Sequence, residues 1–143
     1  MVVISQYHVE IMFKLVLATF LGSLVGLERE IKRKPAGLRT HSIVTLGACL
    51  FTLVGLGLVG NSSTDTSRIV QGIVTGIGFL GAGTIFQSKE KVRGLTTAAE
   101  LWTLASIGIL VGIGSYFIAI VAAILLLVVL VPFKWFEKGI DTK

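Results

Sequence analysis

Charged and polar side chains at the ends of long apolar segments are the residues best placed to do chemistry in this chain. A charge at the centre of a membrane helix costs about 2.5–3.5 kcal/mol, so a retained one marks a functional position by default. Glu100 is the deepest, five residues into a segment that starts at Leu95, or about 7–8 Å along a helix that rises 1.5 Å per residue. We expect it to share a polar site near a membrane boundary. The predicted members of that site are Glu28, Arg39, His41, Thr96, Thr97 and Glu100.

The chemistry predicted for this site is cation binding. Mg²⁺ keeps several of its waters and is typically held by one or two carboxylates, so Glu28 and Glu100 are candidate metal ligands, with Mg²⁺ as ligand or substrate and no other cofactor. A structural alternative stays open, in which Glu28–Arg39 and Arg93–Glu100 are ion pairs that hold helical hairpins together. The sequence has no phosphate-binding loop and no HExxH motif, so it predicts no catalytic residues and no enzyme.

The elements that must position these residues are apolar helices. Hydrophobic residues make up 53% of the chain and charged residues only 15%, a composition outside the range of soluble globular domains. Five apolar stretches come close to the ~20 residues that a helix needs to cross a bilayer. We therefore predict an all-α integral membrane protein, a single-domain bundle of five transmembrane helices over residues 1–143. The predicted helices cover 12–27, 42–59, 69–86, 95–114 and 116–133.

The basic residues predict how the bundle is inserted. Of the 13 Lys and Arg residues, all except Lys14 and Arg68 fall in the first connection, the third connection or the tail. Such one-sided enrichment is typical of cytoplasmic loops and places the N-terminus outside and the C-terminus inside. The net charge of +5 therefore reflects orientation in the lipid bilayer, and we predict no nucleic-acid partner.

A weak internal repeat relates residue i to residue i+57. Gly37-Leu-Arg-Thr40 matches Gly94-Leu-Thr-Thr97, which makes helices one and two similar to helices three and four in a parallel repeat. Chance similarity among apolar, Gly-rich segments is the alternative. Helix five has no counterpart and carries no polar side chain from Phe117 to Val131, so we expect it at the periphery.

Glycines dominate the third apolar segment. Small residues at helical spacing let neighbouring backbones approach closely, so the pattern predicts a central, tightly packed third helix, with a broken helix lining a cavity as the alternative. The predicted packing positions are Gly72, Gly76, Gly78, Gly81 and Gly83. On the opposite, outer side, the sequence predicts that three polar residues cap the start of this helix. They are Asp65, Arg68 and Gln71.

Several segments together resemble the MgtC/SapB family of bacterial membrane proteins. They include Gly26-Leu-Glu-Arg-Glu30, Ala36-Gly-Leu-Arg-Thr-His41, Gly76-Ile-Gly-Phe-Leu-Gly-Ala-Gly-Thr-Ile85 and Gly94-Leu-Thr-Thr-Ala-Ala99. The resemblance implies a multi-pass protein of the bacterial inner membrane that is tied to growth at low magnesium. It also implies a regulator of other membrane proteins, among them the ATP synthase. Longer members add a soluble C-terminal domain, which we expect this chain to lack.

Two functions remain open at the level of sequence. One is a non-enzymatic regulator whose Gly-rich faces pack against a second copy of the chain or a partner helix. The other is a Mg²⁺ or other ion carrier or channel. Because no single helix carries the polar lining of a conducting path, a channel would need a homo-oligomer that repeats Glu100 around an axis.

Overall fold

The computed structural model describes residues 6–59, 63–88 and 91–131 and is helical apart from one small β-hairpin there. The hairpin pairs β1 (Phe86–Ser88) with β2 (Lys91–Arg93) in antiparallel register, Phe86 opposite Arg93. The helices are α1 (Gln6–Ile31), α2 (Leu38–Val59), α3 (Ser63–Gly83), α4 (Leu95–Gly112) and α5 (Tyr116–Leu130). The predicted all-α architecture of five helices is confirmed.

Three of these helices are long and apolar enough to cross a membrane. They are α1, α4 and the stretch of α2 from Leu38 to Gly57, and α5 is a shorter apolar helix. A spanning helix satisfies its backbone hydrogen bonds internally, which is what a bilayer requires. Spanning by all five helices, the direction of insertion and the internal repeat stay predictions.

Helix α4 is the centre of the bundle. It packs against each of the other four helices, and its inward residues Leu101, Leu104 and Ile107 are almost fully buried. Helix α5 lies against α4 and α1 and buries only Ala119, Ala123 and Leu130, in agreement with the predicted peripheral position. The prediction of a central α3 is wrong for the single chain, because α4 holds that place.

Glycine contacts explain why α4 rather than α3 is central. Ideal Cβ atoms built on Gly22 and Gly26 of α1 would lie within 3 Å of α2 atoms, as would those built on Gly108 and Gly112 of α4. Real Cβ atoms do not approach so closely, so these four glycines permit the α1–α2 and α2–α4 contacts. The glycines that we predicted on α3 behave differently. A Cβ added to Gly81 would lie at ordinary van der Waals distance from Ala98. A Cβ added to any of the other four would have no described atom within 4 Å; these are Gly72, Gly76, Gly78 and Gly83.

The observed helix ends differ from the predicted ones, because the predictions followed the ends of the apolar stretches. Helix α1 continues four residues beyond the predicted 27, through Glu28–Ile31, and α2 begins at Leu38, because good helix formers extend a helix past its apolar stretch. Helix α3 ends at Gly83, before the predicted 86. Past the hairpin, Gly94 has φ 92°, and a Cβ there would overlap the carbonyl of Thr84, so only glycine fits where the chain enters α4.

Candidate functional site

Four polar side chains from three helices meet inside the bundle. Arg29 comes from the end of α1, His41 from the first turn of α2, and Thr97 and Glu100 from the first turns of α4. Their exposed fractions are 5%, 0%, 2% and 2%. We call these four residues the buried charge cluster.

Glu100 is the centre of the buried charge cluster. Its Oε2 lies 2.9 Å from Nε of Arg29 and 3.3 Å from Nε2 of His41. Its Oε1 is buried and has no hydrogen-bond partner among the described residues. A buried carboxylate needs a counter-charge, because the cost of removing an ion from water is several kcal/mol. Arg29 supplies that counter-charge within the chain.

The other two members hold these side chains in place. Arg29 donates a second contact, from Nη2 to Thr97 Oγ1 at 3.1 Å, which fixes the guanidinium against α4. The imidazole of His41 contacts the Gly37 carbonyl through Nδ1 at 2.9 Å and Glu100 through Nε2. The cluster thus ties the end of α1, the start of α2 and the start of α4 together.

The connection between α1 and α2 brings His41 to this position. Glu30 accepts a hydrogen bond at Oε2 from the backbone N–H of Leu38, 3.0 Å away, which satisfies one of the free donors at the start of α2. A Cβ on Gly37 would overlap that carboxylate. The sequence from Glu30 to His41 therefore folds into a tight turn that places the imidazole one turn inside α2.

The predicted polar site is partly assembled. His41, Thr97 and Glu100 come together as predicted, whereas Arg39 and Thr96 are exposed. Thr96 lies one residue, about 100° around the helix, from the buried Thr97, and Arg39 lies two residues, about 200°, from the buried His41. Glu28 forms an ion pair with Lys32, one turn further along α1, and not with Arg39, the partner considered from the sequence.

The remaining predicted residues lie away from the cluster. Arg93 is exposed on β2. Glu100 forms its ion pair with Arg29 and not with Arg93, the partner considered from the sequence. Arg68 and Gln71 are exposed within α3, which begins at Ser63, so they lie one to two turns inside the helix and do not cap it. The side chain of Asp65 lies outside the part of the chain that the structure describes.

A second feature is an apolar groove between α2 and α3, which we call the α2/α3 groove. Its volume is about 640 Å³. Apolar side chains and bare glycines form most of its walls, and Arg68 is the one charged residue among the described residues that line it. The lining includes Gly47, Phe51, Ile69, Gly72, Gly76 and Leu80.

Comparison with known proteins identifies the relatives of this chain. The model of the MgtC family matches residues 15–139. The chain belongs to the MgtC family. An uncharacterised Haemophilus influenzae protein is 43% identical over 129 residues, which cover 85% of this chain and 54% of that protein. Protein MgtC of Salmonella typhimurium is 45% identical over 113 residues, 79% and 48% of the two chains.

A third relative carries a name that states an activity. The "Putative magnesium transporter YhiD" of Escherichia coli K12 is 38% identical over 130 residues, which cover 87% of this chain and 60% of that protein. The chain therefore spans about half to three fifths of the length of these relatives. No solved structure matches it.

Sequence reasoning missed one member of the cluster. Arg29 was assigned only to the basic connection, yet it lies within Gly26-Leu-Glu-Arg-Glu30, one of the segments that resemble the MgtC/SapB family. A signal was present in the spacing. Ala18, Gly22 and Val25 form the buried stripe of α1, and Arg29 continues it one turn further at i+4. A helix extended past Leu27 would have placed Arg29 inside the bundle.

Proposed function

We propose that this chain is a non-enzymatic membrane protein that acts in magnesium homeostasis or adaptation to low magnesium by regulating other proteins of the bacterial inner membrane. Membership in the MgtC family and the names of its relatives support the link to magnesium. The observation that favours a regulator over a carrier is the pairing of Glu100 with Arg29.

A carboxylate already paired with a guanidinium is a poor ligand for Mg²⁺. The ion requires oxygen ligands in nearly octahedral geometry and gives up its waters reluctantly. Arg29 and His41 offer nitrogens in place of oxygens, and the positive guanidinium 2.9 Å from Oε2 repels a dication in a medium of low dielectric constant. The second predicted ligand, Glu28, is paired with Lys32. Among the residues described, no group of three or more His, Cys, Asp or Glu side chains could hold a metal ion.

The α2/α3 groove is the surface we assign to a partner. Its glycines expose backbone without a side chain, which lets a further helix approach closely. Either a second copy of the chain, giving a homo-oligomer, or a helix of a regulated protein such as the ATP synthase would fit this role.

Ion transport is the second candidate, favoured by one specific observation. Glu100 Oε1 is buried without a hydrogen-bond partner in the described part of the chain, so one oxygen of the carboxylate remains available for a ligand. In this alternative, several copies of the chain would arrange their Glu100 side chains around a common path.

Mg²⁺ flux decides between the two functions. Purified protein in proteoliposomes is compared with Glu100→Gln, with folding of both verified by circular dichroism. We expect no flux from either, together with rescue by the wild type of growth at low magnesium in a strain that lacks the corresponding gene. Flux from the wild type that disappears in Glu100→Gln would establish transport and overturn the regulator.

A further inference from the structure

Another apolar groove lies between the last turns of α1 and α5, and we call it the α1/α5 groove. Its volume is about 650 Å³. Apolar side chains form its walls, and Glu28 and Lys32 are the charged residues among the described ones that line it. The apolar lining includes Leu24, Leu27, Ile31, Ile124, Val128 and Val131. The groove thus combines hydrocarbon walls with a polar part near the end of α1.

The length of the α1/α5 groove matches one leaflet of a bilayer. From Leu24 to Lys32 its lining follows α1 for about 12 Å, at a rise of 1.5 Å per residue. The hydrocarbon core of a bilayer is about 30 Å thick, so a spanning partner helix would be more than twice as long as the groove. Nearer the starts of the two helices, the rings of Phe13 and Tyr116 are in edge-to-face contact, with centroids 5.4 Å apart. A phospholipid, whose acyl chains occupy one leaflet, has the right length.

The carboxylate of Glu28 indicates what kind of headgroup fits the polar part. Its side chain is 10% exposed, and Oε1 forms an ion pair with the ammonium of Lys32. Oε2 is buried without a hydrogen-bond partner among the described residues. Both oxygens of a carboxylate accept hydrogen bonds, and a buried charged group with an unsatisfied atom is costly. A donor is therefore needed at Oε2, and a cationic donor forms the strongest hydrogen bond with a carboxylate.

We propose that the α1/α5 groove binds a phospholipid whose headgroup carries a primary ammonium. The ammonium, with three N–H donors, contacts Oε2 of Glu28. The neighbouring phosphate faces the ammonium of Lys32, which is 27% exposed, so each charge of the headgroup meets its opposite. An anionic headgroup without an ammonium would leave Oε2 without a donor. The binding requires only that the chain lies in a bilayer, whichever function it performs.

Lipid competition measured by native mass spectrometry tests this site. The purified full chain is mixed with phosphatidylethanolamine and phosphatidylcholine that have identical acyl chains. Both headgroups are zwitterionic, but the trimethylated nitrogen of phosphatidylcholine has no N–H. We expect the chain to retain phosphatidylethanolamine about tenfold more strongly, the difference that one hydrogen bond to a charged group makes. Equal retention of the two lipids, or stronger retention of the anionic phosphatidylglycerol, would overturn the proposal.

Two glutamine variants on α1 assign the preference to one carboxylate. Glu28→Gln keeps the shape of the side chain and removes its charge, so we expect this variant to retain the two lipids about equally. Glu10→Gln is the matched control, because Glu10 and Lys14 form an ion pair of the same spacing on the same helix, and Glu10 is 58% exposed. This control should keep the wild-type preference. A preference that persists in Glu28→Gln, or that disappears in both variants, would contradict the assignment.

A variant on α5 shows whether the lipid lies in the α1/α5 groove. Val128→Trp fills the groove from the side opposite Glu28, so we expect it to lower the retention of phosphatidylethanolamine to that of phosphatidylcholine. Unchanged retention would place the bound lipid elsewhere and overturn the proposal. This variant and the wild-type competition together decide the matter even if Glu28→Gln does not fold.

Discussion

Helix α2 has two very different neighbours. On the side of α1 and α4 it packs so closely that a Cβ on Gly108 would overlap the carbonyl oxygen of Thr45. On the side of α3 it borders the α2/α3 groove, where a Cβ on Gly47 or Gly76 would meet no described atom within 4 Å. Glycines line both interfaces, yet only the first is closed.

The difference shows what glycine spacing can and cannot indicate. A GxxxG pattern such as Gly72 and Gly76 predicts that a helix could be approached closely, but it does not say whether the approaching helix belongs to the same chain. On the closed side, the buried charge cluster adds a requirement of its own, because its charges need partners that exclude water. On the open side, the exposed backbone is available to another molecule.

Removal of Arg29 should have the largest effect on stability. Arg29→Met leaves Glu100 buried without its counter-charge, and breaking a buried pair in this way costs about 3–5 kcal/mol. The free energy of unfolding can be measured by titration with sodium dodecyl sulfate in mixed micelles. We expect the double variant Arg29→Met/Glu100→Gln to recover most of the loss, because neither charge then remains. If the double variant is as unstable as the single one, charge pairing does not hold the closed interface together.

A pair of glycine variants compares the two sides of α2 directly. Gly108→Ala inserts a methyl group into contact with Ala48 and Thr45, and overpacking of this kind costs about 1–3 kcal/mol. Gly76→Ala adds the same group where no described atom lies within 4 Å, so the free energy of unfolding should change by less than about 1 kcal/mol. The same unfolding titration measures both variants. Equal losses would mean that the groove is not open in the folded chain.

The larger variant Gly76→Leu extends this comparison to assembly. We expect the monomer to keep its unfolding free energy, while fluorescence energy transfer between labelled copies in lipid bilayers decreases, because the leucine fills the α2/α3 groove. A decrease in stability without a change in energy transfer would place the role of Gly76 inside the chain. If neither the free energy of unfolding nor the energy transfer changes, the α2/α3 groove does not bind a second copy of the chain.

The sequence was sufficient for much of the fold because hydropathy dominates in a bilayer. Long apolar stretches predict helices whatever their packing, and α4 and α5 start where the sequence placed them, at Leu95 and Tyr116. The β-hairpin was missed because its strands are only three residues long and show no period that could be detected.

The candidate site was harder to predict because its membership depends on rotation about each helix axis. Thr96 and Thr97 are adjacent in sequence, yet one is exposed and the other is buried. A change of one residue turns a side chain by about 100°, and hydropathy does not fix that angle for a polar pair. Arg29 was missed for a related reason, since the apolar stretch ends before the helix does.

Arg39→Ala should have the smallest effect on the free energy of unfolding, because Arg39 lies outside the buried charge cluster. The sequence placed Arg39 in the polar site, but its side chain is exposed in the first turn of α2, two positions from the fully buried His41. Surface substitutions of this kind usually change stability by less than about 0.5 kcal/mol. We therefore expect the unfolding titration to match that of the wild type. A loss comparable with that of Arg29→Met would show that Arg39 belongs to the buried charge cluster after all. If stability is retained and rescue of growth at low magnesium is lost, Arg39 acts outside the cluster, on a partner or a lipid headgroup at the membrane surface.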